Sequence, residues 1–201
     1  EQVLSRLVLA DPSVIDCITI DPAGTVHEVE PSSFESVKGE NLKAQEHINN
    51  TINTRLYSGF HFIKAVEGVC AIDSEMPVFD RNGTFIGTVS FMFNSSQFFE
   101  SVLAPFQPGG NSKIWVSKAD DATILYDTDH SQILLNESSP MYQNYPELLV
   151  LLDRMSIERT GYGTYEFLDQ SHGKAIKKGC YWTTIPNQGT QMRLVLTLEL
   201  Q

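Results

Sequence analysis

Short runs of strand-forming residues, cut by turns rich in Gly, Asp and Asn, set the rhythm of this chain. The clearest case lies between Gly68 and Phe93, where two such runs flank Asp80-Arg-Asn-Gly83. That spacing predicts an antiparallel hairpin, with Gly83 supplying the positive φ of the turn. On its second strand the period of two places Phe85, Val89, Phe91 and Phe93 on one face. Ile86, Thr88, Ser90 and Met92 fall on the other, so one face reads as apolar and the other as mixed.

Around this hairpin the order of elements follows from the same signals. Residues 3–10 form an amphipathic helix that Asp11-Pro12 stops. Strands are expected at 14–20 and 25–29 around the turn at Asp21-Pro-Ala-Gly24. A helix is expected over 32–54, irregular chain at 55–59, and a third strand over 60–66. Ser95-Ser-Gln begins a further helix, and Pro105, Pro108, Gly109 and Gly110 mark a linker. The second half repeats the plan. Strands are expected at 113–117 and 122–126, a polar loop at 128–145, and a helix from Pro146 to Ile157 with proline in its first turn. Three more strands follow at 163–167, 174–185 and 192–200. The turns at Asp80-Arg-Asn-Gly83-Thr84 and Pro186-Asn-Gln-Gly189-Thr190 each introduce a final hydrophobic strand. The pattern is an α+β unit of strand, strand, helix and three antiparallel strands, used twice. A single mixed domain is the alternative.

Composition narrows the function classes. The chain has 201 residues, 41% hydrophobic and 19% charged, enough apolar mass for a core. Its formal charge of −11 argues against nucleic acid and against an anionic membrane surface as partners. No run of 18 apolar residues spans a bilayer, and no signal peptide is expected at Glu1. Cys17, Cys70 and Cys180 are too few and too scattered for a disulfide framework or a zinc site. Asn-x-Ser/Thr sequons at Asn49, Asn82, Asn94 and Asn136 mildly favour an extracellular location. The five histidines, His27, His47, His61, His130 and His172, lack metal-ligand spacing, and there is neither a nucleophile elbow nor a phosphate loop. Asp120-Asp121 and Asp127-Thr-Asp129 lack the calcium-loop pattern and read as solvated turns. No catalytic constellation, cofactor or metal is expected. A hydrolase using a metal at Asp127 and Asp129 stands as a rival.

The stretches ITIDPAGTVHEV, MPVFDRNGTFIGTVSF, ILYDTD, GTYEF and YWTTIPNQGTQMRLVL, in that order and spacing, resemble a double Cache sensor domain. These are the PAS-like extracellular regions of membrane histidine kinases and chemoreceptors. The resemblance runs from Val3 to Leu200. It implies two PAS-like modules, each a central antiparallel sheet with flanking helices, attached to an N-terminal helix. It assigns 1–13 to the end of that signalling helix, 14–104 to a membrane-distal module that holds the ligand, 105–112 to a linker and 113–201 to a membrane-proximal module. It further implies tethering by membrane helices outside this sequence, a possible homodimer along the helix, and an output in kinase control or chemotaxis. The rival in a different class is a soluble or lipid-anchored solute-binding protein without signalling.

A sensor pocket needs an apolar floor with a few fixed polar groups. The first module offers Arg55 and Tyr57 before the third strand, Phe60, His61 and Phe62 along it, Asp73 and Glu75 on one face of the fourth, and Phe91 with Phe93 on the fifth. Arginine takes a carboxylate through paired hydrogen bonds, and an aspartate takes an ammonium group. The set therefore suits an amino acid, a carboxylate or another small metabolite. Amino-acid-binding members of the resembling family carry Arg-x-Trp-Tyr at this place; here the stretch reads Arg55-Leu-Tyr57-Ser58. The phenylalanines are equally readable as plain core. Asp73, a carboxylate among apolar neighbours on a central strand, needs a partner. The second module, with Trp115, Tyr126, Tyr162, Tyr165 and Trp182, reads as a filled core with at most a weak pocket.

Overall fold

The computed structural model describes residues 2–65, 68–169 and 173–200. Val66, where the third strand was expected to end, Glu67 and His172 lie outside them. The chain divides into two compact units, Glu1–Phe98 with Asn187–Thr190, and Phe99–Pro186 with Gln191–Gln201.

In the first unit, helix α1 (Gln2–Ala10) packs along the hairpin of β1 (Val14–Ile20) and β2 (Val26–Glu30) and buries Leu4. Helix α2 spans Glu46–Thr54, and β3 (Phe60–Lys64), β4 (Cys70–Phe79) and β5 (Phe85–Phe93) follow before α3 (Ser95–Leu103). All pairs are antiparallel, in the order β2-β1-β5-β4-β3. The second unit holds β6 (Ser112–Lys118), β7 (Ile124–Asp127), α4 (Pro146–Ile157), β8 (Thr160–Asp169), β9 (Lys174–Ile185) and β10 (Met192–Glu199). Its sheet runs β7-β6-β10-β9-β8. Counted within each unit, both orders are 2-1-5-4-3. The repeated unit read from turn spacing is therefore a repeated topology.

Three expectations need correction. The helix expected over 32–54 is a short 3-10 turn at Ser32–Val37, then α2 alone. Between them the backbone instead pairs with the start of β2, through Val26 N–H to Glu40 O, Gly39 N–H to Val26 O, and Leu42 N–H to Gly24 O. Tertiary pairing outcompetes weak helix propensity there. The strand expected from Ala122 begins at Ile124, because Asp121 Oδ1 accepts from both the amide and hydroxyl of Thr123 and prolongs the turn. Finally, Phe85 does not share a face with Val89, Phe91 and Phe93. The register slips between Val78 and Phe79, opposite Gly87. Gly87 has φ +137°, and a Cβ there would run into the Ile20 carbonyl. Phe85 thereby turns onto the opposite face and packs against Ile18, Ile20, Ile48 and their neighbours.

Each unit has its own core. Ile18, Ile20, Val26, Val29, Val37, Leu42, Ile48 and Ile52 cluster in the first. The second packs Leu148, Leu151, Leu152 and Met155 of α4 with Trp115, Tyr165, Trp182 and Val195.

Candidate ligand-binding site

Helix α2 reads Glu-His-Ile-Asn-Asn-Thr-Ile-Asn-Thr, a weak helix former with no side-chain N-cap. Packing holds it in place, since it buries His47, Ile48, Thr51 and Ile52. Arg55, in the left-handed region at φ 57°, ends it. His47 and Thr51 are four residues apart and so share one helical face. Below that face runs β4, where Asp73 and Glu75 project to one side because strand side chains alternate. Register pairs Asp73 with Met92 and with His61, and Glu75 with Ser90. One face of the sheet thus gathers His61, Asp73, Glu75, Thr88 and Ser90 under α2.

The electrostatics of this floor are unusual for a core. His47 Nε2 lies 3.0 Å from Asp73 Oδ2, with both side chains about 6% exposed. The contact has the distance of an ion pair without the alignment of a full hydrogen bond. Ser90 Oγ donates to Asp73 Oδ1. His61 stacks on His47 with ring centroids 5.0 Å apart, and its Nε2 sits 2.8 Å from the Ser58 carbonyl. Burial, helped by the neighbouring His47, lowers the His61 pKa, so the ring is neutral and donates to that carbonyl.

Glu75 is the extreme case, with 0% exposure. Burial, and next the charge of Asp73, push its carboxyl up to about 7. The hydroxyls of Thr88 and Ser90 lie close enough to pull it partly back, yet neither completes an aligned bond to it. The hydroxyls of Thr51 and Thr88 are likewise buried without a partner. A shift from 4.5 to about 7 corresponds to roughly 3 kcal/mol, comparable to the gain from burying one large aliphatic side chain. The eight apolar residues of this core offset that cost.

Two spaces adjoin the floor. A small cavity of about 30 Å³ is lined by Asp16, Ile18, Leu42, Ile48, Asp73 and Ser90 among others. An open groove of about 420 Å³ is lined by Glu46, His47, Asn50, Ser58, His61 and the Gln188–Thr190 stretch. His47 lines the groove and Asp73 the cavity, so their 3.0 Å contact stands at the partition.

The expected site residues divide accordingly. His61, Asp73 and Glu75 come together. Phe60, Phe62 and Phe91 do not join them, since Phe60 and Phe91 both pair with Ser74 and Phe62 pairs with Ile72. They lie on the other face, where Phe60 packs with Phe93 and Phe98 and Phe91 stacks on Phe93. Tyr57 meets Phe60 edge-on and accepts from Ser74 Oγ at 3.3 Å. Arg55 holds its guanidinium over the Phe85 ring at 5.7 Å. Along a helix rising about 1.5 Å per residue it sits roughly 12 Å from His47. His47, Thr51, Thr88 and Ser90 were not singled out in the sequence. Their signal was present in the His47-Ile48 and Thr51-Ile52 pairs at helical spacing, and in the mixed face of β5.

In the second unit Asp127 Oδ1 accepts from the Asp129 amide at 2.8 Å, and Asp129 caps the turn after it. Among the described residues no cluster of three or more His, Cys, Asp or Glu stands ready for a metal. Cys17, Cys70 and Cys180 are free thiols. No helix among the described residues is long and apolar enough to cross a membrane.

Residues 1–95 match the family model described as HK/GC/Chemotaxis protein-like, sensor domain. The whole chain is similar to an extracellular ligand-binding receptor from Desulfohalobium retbaense, at 31% identity and TM-score 0.72. That match covers 98% of this chain and 32% of the receptor, so the chain spans about a third of the receptor's length. The histidine kinase DctB sensor domain of V. cholerae shares the fold at 12% identity and TM-score 0.64, over 100% of this chain and 78% of that one. So does the ligand-binding domain of the Pseudomonas aeruginosa amino acid chemoreceptor PctB, solved with L-Arg, at 13% identity and TM-score 0.59, over 98% and 76%. No curated protein matches the sequence.

Proposed function

We propose that this chain, whose residues 1–95 match an HK/GC/chemotaxis sensor-domain model and whose fold is shared with extracellular sensor domains, is a non-enzymatic, extracytoplasmic receptor domain that binds a small ammonium-bearing metabolite beneath α2. The observation that carries this reading is Glu75, wholly buried with both oxygens unpartnered beside a second carboxylate. Buried polar groups are normally satisfied, so a set of them on one face marks a place for something else. An ammonium group has three donors and one positive charge, which Asp73, Glu75 and the Thr88 hydroxyl together accept. L-Arg in PctB belongs to the same chemical class, an amino acid with an ammonium end.

The residues then have distinct roles. Asp73 and Glu75 bind the cation, Ser90 holds Asp73 in orientation, and His47 guards the entry from the groove. A cation at Asp73 competes with His47, and parting that pair shifts α2 between two positions. The helix α1 on β1 and β2 shares the same sheet and carries the bias away from the site, a population shift rather than a rigid lever. Membrane helices flanking this domain, a homodimer along α1, and a kinase or chemotaxis output belong to the same proposal.

The test is a thermal-shift screen of the purified chain against the proteinogenic L-amino acids, simple diamines and dicarboxylates. A ligand at 100 times its Kd adds about 2.7 kcal/mol of stability. An amine that stabilises the wild type and loses its effect in Asp73→Asn and Glu75→Gln supports the reading. Stabilisation by dicarboxylates alone, unchanged in both variants, overturns it.

A further inference from the structure

The second unit holds the larger cavity, about 450 Å³, in the range of small-molecule sites. It was expected to be filled. Trp115, Tyr142, Tyr165 and Phe167 wall it, and Asp127 and Lys178 line it with Lys113. The charge of Asp127 is felt at both Tyr142 and Tyr165: burial raises both hydroxyls first, with Asp127 next at Tyr142 and after Cys180 at Tyr165. One of its oxygens takes the Asp129 amide, and the other accepts no hydrogen bond among the described residues. Lys178 lies over the Phe167 ring at 5.6 Å, and Lys113 is exposed.

We infer that this cavity is a second binding site, for an amino-acid-sized zwitterion whose ammonium group meets Asp127 between aromatic rings and whose carboxylate faces Lys113 and Lys178. The reasons are geometric. Aromatic faces attract an ammonium group, and a carboxylate at the floor adds charge in a partly desolvated place. Lys113 and Lys178 on the same lining supply the opposite pole, with Glu199 beside Lys178 and Asp129 beside Asp127 as the other charged groups there. Burial raises the Asp127 carboxyl to about 6, so the site is charged at neutral pH and loses its anion in mild acid. Nothing in this inference depends on the first unit binding a ligand.

Both tryptophans of the chain, Trp115 and Trp182, belong to the second unit, so tryptophan fluorescence reports on it selectively. The experiment titrates the full chain with each proteinogenic L-amino acid under selective tryptophan excitation, at pH 7.5 and pH 5. The expected result is a saturable change for at least one amino acid, at least tenfold weaker at pH 5. It is lost in Asp127→Asn and retained in Asp73→Asn. Lys178→Gln, on the lining but outside the hydrophobic core, weakens binding severalfold and guards against loss of fold in the aspartate variant. No saturable change with any of the twenty, or one that survives in Asp127→Asn within twofold, overturns the assignment.

Discussion

The two units share strand order and a helix laid over the sheet, yet they put opposite chemistry beneath that helix. Under α4 lie Leu148, Leu151, Leu152 and Met155 against Trp182 and Val195. Under α2 lie His47 and Thr51 against Asp73 and Glu75, with Ile48 and Ile52 beside them. The topology tolerates both because the strand pairing, the turns and the apolar flanks specify it. What differs is the character of the layer that seats the helix. An apolar contact offers a ligand no charge to compete for, whereas the buried His47–Asp73 contact presents a carboxylate that a cation can also meet. The comparison teaches that one strand order accommodates a polar layer beneath its helix in the first unit and an apolar one in the second.

The largest effect that would break this contrast is expected at Leu151. Leu151→Ala removes a side chain that is 2% exposed and should cost about 3 kcal/mol in urea unfolding. A loss below about 1 kcal/mol would mean that the apolar layer does not anchor α4.

Next comes the pH dependence of Glu75. Its folded pKa is raised from 4.5 to about 7, so the folded state keeps a proton that the unfolded chain has released. Stability from this group is present below pH 4.5 and declines as pH rises toward 7, by roughly 3 kcal/mol in all. Glu75→Gln should flatten that decline. Matching pH slopes in the two proteins would show the carboxylate to be solvated.

A smaller effect is expected at Asn187, whose amide both accepts from Phe60 N–H at 2.8 Å and donates to Phe60 O at 2.7 Å. Asn187→Ala should cost about 1–2 kcal/mol, read by thermal unfolding. Smallest of all, Thr51→Val should be neutral or gain up to about 1 kcal/mol, since its buried hydroxyl has no partner to lose. A clear loss would place an unseen partner at that hydroxyl.

Much of this was legible beforehand because β signals are local. Asp80 Oδ1 accepting from the Asn82 and Thr84 amides, with Gly83 at φ 80°, is the turn that Asp-Arg-Asn-Gly spells. Asp73 and Glu75 could be paired from their spacing of two. Phe60, Phe62 and Phe91 were harder, since alternation says which residues share a face within one strand but not how faces match between strands. One step of register decides that, and the slip at Gly87 shifted even Phe85. His47 was hidden because the segment 38–45 looks helical while its backbone pairs with β2, and without the start of α2 the helical face has no phase.

The four residues Asn187–Thr190 sit far along the chain yet count with the first unit. There the Phe60 carbonyl accepts from the Thr190 amide, and the Phe62 amide donates to Thr190 Oγ1. They act as a borrowed hem for the outer strand of the first sheet. A gene fragment ending after Phe98 would leave that border bare, an open template for another chain to join. Dissecting this protein into halves therefore risks clumping at β3, and a faithful half needs the hem grafted back.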